Sequence, residues 1–452
     1  MGINLNQTQA TSRSLTLLCD LTLITIYILF GMVVAEFAES EGFGNGLLAR
    51  SSNGHLGAEY DAIAQSIFAG NGYSDAFRCE SGPTAWMPPL LPFLLAGLYW
   101  LTDYQPTDVV GCVLGLKAIS IALSGVIVLQ ESRRTNLLWF GQILVPLIFV
   151  SNFYRLFQFT HDFWLLLLIV NLIWVFSNKL PEPIGFLKAI AWGAFGGITA
   201  LASPAIGTTW AAVSVCMLFT PVNSHVLGTK TAAFGHRFRN THYPTQKANM
   251  VALATMGVMS IVIISPWIVR NYIVFGKIVP IKSNAGFELW QAQCADEDGV
   301  LDDVLLSKHP YVSDGELRQE YLRLGETQFI SQKKSIAIDE IAKEPLGFLR
   351  RVLNRTVAAT LIYQPGLHET TRIGFLDVMA RIFYPLPFVS ACVLCWNLRR
   401  LQRQHLIALT VYVTMLAPYV LISFGNRYAA PLLPIKALLI IYAVSFLIRR
   451  RS

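Results

Sequence analysis

Two acids stand close together in Gly57-Ala58-Glu59-Tyr60-Asp61-Ala62-Ile63-Ala64-Gln65-Ser66-Ile67. Tyr60, Ile63, Ala64 and Ile67 recur at helical spacing and Gly70 supplies a stop, which predicts an amphipathic surface helix with Glu59 and Asp61 in its first turn. A carboxylate there is either a general base or simply an acid favoured by the positive end of the helix dipole. A third acid, Asp162, follows His161 at the mouth of the apolar run that begins Phe163-Trp164-Leu165. A charge entering an apolar segment is costly and usually faces a polar cavity, the alternative being an interfacial flank. Arg270, in Pro266-Trp267-Ile268-Val269-Arg270-Asn271-Tyr272, and Arg427, in Gly425-Asn426-Arg427-Tyr428, bring guanidinium groups. Arginine is the preferred two-pronged ligand of phosphate, although it also serves as an interface anchor. Carboxylates and phosphate-binding cations on one surface are what glycosyl transfer from a lipid phosphate requires. The base takes a proton from the acceptor, and the cations stabilise charge growing on the departing phosphate.

Other chemistries find less support. No P-loop is present, and no glycine-rich turn joins a strand to a helix. Asp296-Glu297-Asp298 fits a D-x-D pattern able to bind a divalent ion, but three residues in an acidic loop are a weak signal, so no cofactor and no metal ligand are expected to be required.

The elements that must hold these residues are membrane helices. With 54% hydrophobic and 14% charged residues, the 452-residue chain does not have a soluble composition. Its apolar runs are unbroken, unlike the alternating strands of an outer-membrane barrel. The expected fold is therefore an all-α polytopic membrane protein of roughly 10 to 11 transmembrane helices. Ten are expected near 15–35, 108–129, 137–152, 162–177, 188–203, 205–221, 249–268, 374–397, 405–424 and 431–448, the first a retained helix and not a cleaved signal.

The net charge of +7 lies in short clusters beside apolar segments, which argues against a nucleic-acid partner. Arg133-Arg134, Lys179, the basic stretch 230–247, Arg399-Arg400-Arg403 and Arg449-Arg450-Arg451 all fall on the cytoplasmic side if both termini are inside. That arrangement requires the short, proline-containing segment 88–101 to lie at the outer surface without crossing. It leaves two long segments outside, a first loop over 36–107 with surface helices and a region of about 100 residues over 266–371 holding short helices, one with the amphipathic pattern Leu317, Tyr321, Leu324 and Phe329. Of the seven cysteines, Cys19, Cys112, Cys216, Cys392 and Cys395 fall in apolar segments and are expected to be buried packing thiols. Cys79 and Cys294 fall outside, where a disulfide could pin the two long loops together.

The first-loop string over 57–74, followed by Gly82-Pro83-Thr84-Ala85-Trp86-Met87-Pro88-Pro89, resembles the first outer loop of bacterial glycosyltransferases of the GT-C superfamily. These are relatives of the protein O-mannosyltransferases and of the aminoarabinose transferase that modifies lipid A. A second match is Pro266-Trp267-Ile268-Val269-Arg270-Asn271-Tyr272-Ile273-Val274-Phe275-Gly276, continuing through Pro280, Ser283-Asn284, Gly286 and Glu288-Leu289-Trp290, with further similarity at Leu324-Gly325-Glu326 and 345–355. The resemblance implies one GT-C-like membrane domain over 1–452. It implies an inverting transferase in a bacterial inner membrane, moving a sugar from a polyprenyl-phosphate donor to a lipid, glycan or protein acceptor at the outer face. Many relatives carry the catalytic Asp at the position occupied here by Leu56; Glu59 matches a subgroup with Gly-x-Glu. Glu59 thus ranks first and Asp61 second as base, with Asp162 resembling the family's second acid. Tyr60, Trp86, His161, Arg270, Lys282, Glu288 and Arg427 are the candidate substrate-binding residues. Ser203-Pro204 stands where relatives often have a basic residue. A transporter or flippase of lipid-linked sugars, or a glycan polymerase or ligase, is the competing function.

Overall fold

The computed structural model describes residues 56–78, 80–145, 163–180, 184–219, 246–295, 298–300, 309–312, 315–362 and 381–449, with residue 378 and a few positions between 18 and 29. The described chain is helical. In order, the helices are α1 (Ala58–Phe68), α2 (Leu90–Leu101), α3 (Pro106–Arg134), α4 (Phe163–Lys179), α5 (Phe186–Ala202), α6 (Pro204–Phe219), α7 (Gln246–Phe275), α8 (Ala285–Trp290), α9 (Glu316–Leu324), α10 (Glu326–Lys343), α11 (Pro345–Thr360), α12 (Leu386–Cys395), α13 (Arg403–Leu421) and α14 (Leu433–Arg449). Two isolated bridges, Ser74 with Pro83 and Val300 with Phe424, are the extended pairings among the described residues.

Four of these helices, α3, α7, α13 and α14 extended back to Arg427, are long and apolar enough to cross a membrane. The helices α2, α4, α5 and α6 and the segment Arg381–Cys395 are apolar but shorter. The expected first span over 15–35 lies mostly outside the described residues, and of the one over 137–152 residues 138–145 are described as helix.

Contacts sort the helix ends into two groups. At one end Arg133 pairs with Asp20, Arg134 with Glu131, and Arg403 reaches the carbonyl of Ser177. Asn249 there donates to the carbonyl of Leu218. Basic residues of α3, α13 and the end of α4 therefore share an end, as the charge distribution requires. The opposite end gathers α1, α2 and the described residues between 276 and 345. There α2, at 12 residues about 18 Å long, is too short to cross a hydrocarbon layer of about 30 Å. It lies along α1 instead, joined by the Tyr99 hydroxyl, which donates to Asp61 at 2.5 Å.

Two sequence expectations are corrected. Arg270 does not stand beyond the seventh span, because α7 continues past Pro266 to Phe275. Proline removes the N–H that would bond the Val262 carbonyl, and the Ser265 hydroxyl donates to that carbonyl at 2.9 Å, which replaces the missing bond. Cys19 lies outside the described residues, and the other four cysteines of the apolar segments are not buried. Cys112, Cys392 and Cys395 are exposed and Cys216 partly so, placing the thiols on the outer surface of the bundle, where hydrocarbon solvates them as well as a core would.

Among the described residues α5 and α7 pack closely. A Cβ added at Gly193 would meet the Met256 carbonyl oxygen at 2.5 Å, and one at Gly197 the Ile263 Cβ at 2.5 Å. These glycines are four apart on one face, the small-residue spacing that lets membrane helices approach. Gly197→Val is expected to lower the stability of the solubilised protein by roughly 1–3 kcal/mol through overpacking. Gly257→Ala on α7, where an added Cβ meets nothing within 4 Å, is the control and is expected to leave the thermal midpoint unchanged.

Candidate functional site

Positions 59 and 61 are two residues apart on a helix, so their side chains diverge by about 200° and cannot face one cavity. The structure separates them accordingly. Asp61 is fully buried toward α2, accepting from Tyr99 and, at 2.9 Å, from Gln65, and burial raises its pKa above the usual carboxylate value. Glu59 points the other way, partly exposed, with its Oε1 3.6 Å from Nε2 of His309.

His309 was not among the sequence candidates. Its ring is boxed edge-on by Phe77, Trp86 and Phe287 at centroid distances of 5.7, 5.8 and 5.5 Å. Its Nδ1 accepts the backbone N–H of Tyr311 at 3.2 Å. Burial and the field of Arg427 lower its pKa, while Glu59 and Glu288 oppose them. Glu288 accepts from Lys282 Nζ and from Asn284 Nδ2, both at 2.9 Å. Tyr428, beside Arg427, lies in the field of both Glu288 and Lys282. Four sequence candidates, Glu59, Lys282, Glu288 and Arg427, are thus brought together around one histidine. Such a mixed cluster has carboxylates able to take a proton and cations able to hold a phosphate.

No family model matches the chain, and no curated protein matches it either. The site is therefore described by its own geometry. His161 and Asp162 lie outside the described residues, but the next residue, Phe163, packs on Tyr428 at 5.7 Å, which puts the start of α4 beside the cluster. Asp296, Glu297 and Cys79 also lie outside them, and Cys294 carries a free thiol.

Three other candidates are structural in their contacts. Tyr60 is buried in the main core. Trp86 is 1% exposed, in an aromatic cluster with Phe77, Phe287 and Tyr321. Arg270 donates to the carbonyls of Thr84 at 2.7 Å and Tyr73 at 2.6 Å, clamping the first outer segment to α7. It borders a separate, largely apolar groove of about 720 Å³ lined by Leu90, Phe93, Ile263, Trp267 and Val274, at the far end of α1 from Glu59.

The same kind of clamp recurs around the cluster. Arg318 donates to the carbonyls of Phe77 at 2.7 Å and Arg78 at 3.1 Å and reaches that of Pro310, fixing the chain next to His309. Arg355, fully buried, donates to the carbonyls of Val420, Leu421 and Gly299, just before Arg427. Glu326 is the acidic counterpart. It accepts from the Thr84 hydroxyl at 2.5 Å, the Ala85 N–H at 2.8 Å, the Ser283 hydroxyl at 2.8 Å and the Tyr321 hydroxyl at 3.1 Å.

Burial holds the Glu326 carboxyl above its ordinary pKa despite these four donors. The folded state then binds the proton more tightly than the unfolded chain, so this group stabilises most below the unfolded carboxylate range and less as pH rises through the folded value. Glu326→Ala is expected to destabilise by roughly 3 kcal/mol, because it strands several buried donors. Glu326→Gln is expected to cost less and to flatten the pH slope of the thermal midpoint above the ordinary carboxylate range.

Proposed function

We propose that the chain is an inverting membrane glycosyltransferase of the GT-C type, using a polyprenyl-phosphate sugar and a lipid, glycan or protein acceptor. The observation that carries this reading is the gathering of Glu59, His309, Glu288, Lys282 and Arg427 at the end of the bundle opposite the Arg133 and Arg403 cluster. Basic residues favour the cytoplasmic side, so the cluster faces away from the cytoplasm, here in a bacterial inner membrane with both termini inside.

In this mechanism Glu59 removes the proton of an acceptor hydroxyl as its oxygen attacks the anomeric carbon. The bond from that carbon to the phosphate oxygen breaks, and its electron pair leaves with the polyprenyl phosphate. Arg427 and Lys282 neutralise the charge that grows there. Glu288 holds Lys282 in place and offers an acceptor to sugar hydroxyls. The apolar groove beside α7 is suited to the isoprenoid chain, since its walls are side chains that lipid also solvates. A transporter would instead distribute ionisable groups along a path near the bilayer midplane, and the position of this cluster at one end favours transfer.

Two variants test the assignment with purified protein and a polyprenyl-phosphate sugar. Glu59→Gln is expected to lower kcat by about 10²–10⁴-fold with donor binding kept, as for loss of a general base. Wild-type turnover would remove Glu59 from that role. Arg427→Ala is expected to weaken donor binding, and an unchanged affinity would leave the guanidinium as an anchor.

A further inference from the structure

We infer that α11 (Pro345–Thr360) is an interfacial helix whose stripe of Leu346, Leu349, Leu353 and Val357 lies in the lipid leaflet at the end of the bundle that carries the candidate site. The inference goes beyond the transferase reading and does not depend on it.

Positions 346, 349, 353 and 357 recur at helical spacing, so their side chains fall within an arc of about 100° on one face of α11. They are 78%, 51%, 56% and 36% exposed. Half a turn round the helix Arg355 is fully buried, donating to the carbonyls of Val420, Leu421 and Gly299, and Ala358 and Ala359 are buried beyond it. A helix that hides an arginine and shows its leucines is the reverse of a helix in water. Such a stripe marks a surface that something apolar covers.

Depth and charge point to lipid as that cover. The 19 residues of α13 rise about 28 Å from the Arg403 end, so Leu421 stands at the far edge of a hydrocarbon layer of about 30 Å. Arg355 bonds to the carbonyl of that last residue. Nearly one turn further along α11, the Ala358 carbonyl accepts from the Tyr384 hydroxyl at 2.7 Å, and Tyr384 precedes α12, which runs back toward the Arg403 end. Thus α11 rests on the ends of two helices at one boundary. It does not cross the layer, because its 16 residues span only about 24 Å and three of them are arginines.

The stripe runs on into exposed Leu361 and Ile362, and exposed Leu421 ends α13 at the same boundary, so the apolar surface of α11 continues that of the bundle. Arg350 is exposed at the edge of the stripe. Its stem can lie among acyl chains while the guanidinium reaches lipid phosphates, and an apolar face edged by a cation is the pattern of a helix lying in a bilayer surface. With lipid on one face and the Arg355 clamp on the other, α11 is the wall between the leaflet and the chain that leads to Arg427.

The test places the photoreactive residue p-benzoylphenylalanine at Leu349, at Leu353 or, as a control, at Gln332, which is exposed on α10. These are surface positions, so packing is undisturbed. Each full-length variant is irradiated in phosphatidylglycerol nanodiscs, and mass spectrometry reads what is bound to the probe. Lipid adducts are expected from 349 and 353 at a yield at least about tenfold that from 332. Absence of lipid adducts at 349 and 353 would overturn the inference and place the stripe in water. Equal yields at all three positions would overturn it too, because labelling would then not follow the stripe. Cross-links to protein in place of lipid, within the chain or to a second copy, would make the stripe a protein contact and would also sink the idea.

Discussion

Irregular backbone at the surface of a membrane bundle must satisfy its carbonyls and N–H groups without a sheet ladder or a long helix to do so. In this chain buried charged side chains supply the bonds. Arg270 donates to two carbonyls of the first outer segment, Arg318 and Arg355 each spread guanidinium donors over carbonyls from two separate segments, and Glu326 collects donors from three. A guanidinium suits the task because its donors form a rigid fork and it is not deprotonated by burial. The separations between Glu59, His309, Glu288 and Arg427 depend on these four side chains, since none of the four site residues shares a helix with another.

Much of the fold was legible in the sequence because hydrophobic period and charge bias are local signals. The helix over Ala58–Phe68, its stop at Gly70 with φ 82°, the short Leu90–Leu101 segment and the grouping of Arg133, Lys179 and Arg403 at one end follow from them. The Leu317, Tyr321, Leu324 and Phe329 pattern was real but spans a break. Gly325, at φ 75°, ends α9 and starts α10, and the apolar faces of both helices pack into one cluster. Proline misled in the other direction. The seventh span was expected to stop near residue 268, and what keeps α7 intact past Pro266 is one hydroxyl bond that no propensity encodes.

The candidate site was legible by residue type but not by partner. Glu59 and Arg427 were visible as charges at the edges of helical segments, while Lys282 and Glu288 entered only through the family resemblance. Choosing between Glu59 and Asp61 needed to know which face of α1 meets α2, a tertiary fact. His309 had no signal at all, because its neighbour Glu59 lies 250 positions earlier in the chain. An arginine at a boundary reads as a ligand for phosphate, and the sequence gives no sign that Arg270 also donates to the backbone of Tyr73 and Thr84.

The bond between Thr84 and Glu326 joins residues 242 positions apart. In a chain made from its N-terminus, the first outer segment is complete long before its partner exists, and the helices from α3 to α7 must be inserted in between. Until then Phe77 and Trp86 lack their later neighbours Phe287 and Tyr321, and the Thr84–Ala85 segment lacks its carboxylate acceptor. The order of synthesis thus makes assembly of the outer cap a late event of high contact order, slow relative to helix insertion. During that interval the unpartnered aromatic face of the first segment is the part of the nascent protein most in need of a membrane surface or a chaperone to cover it.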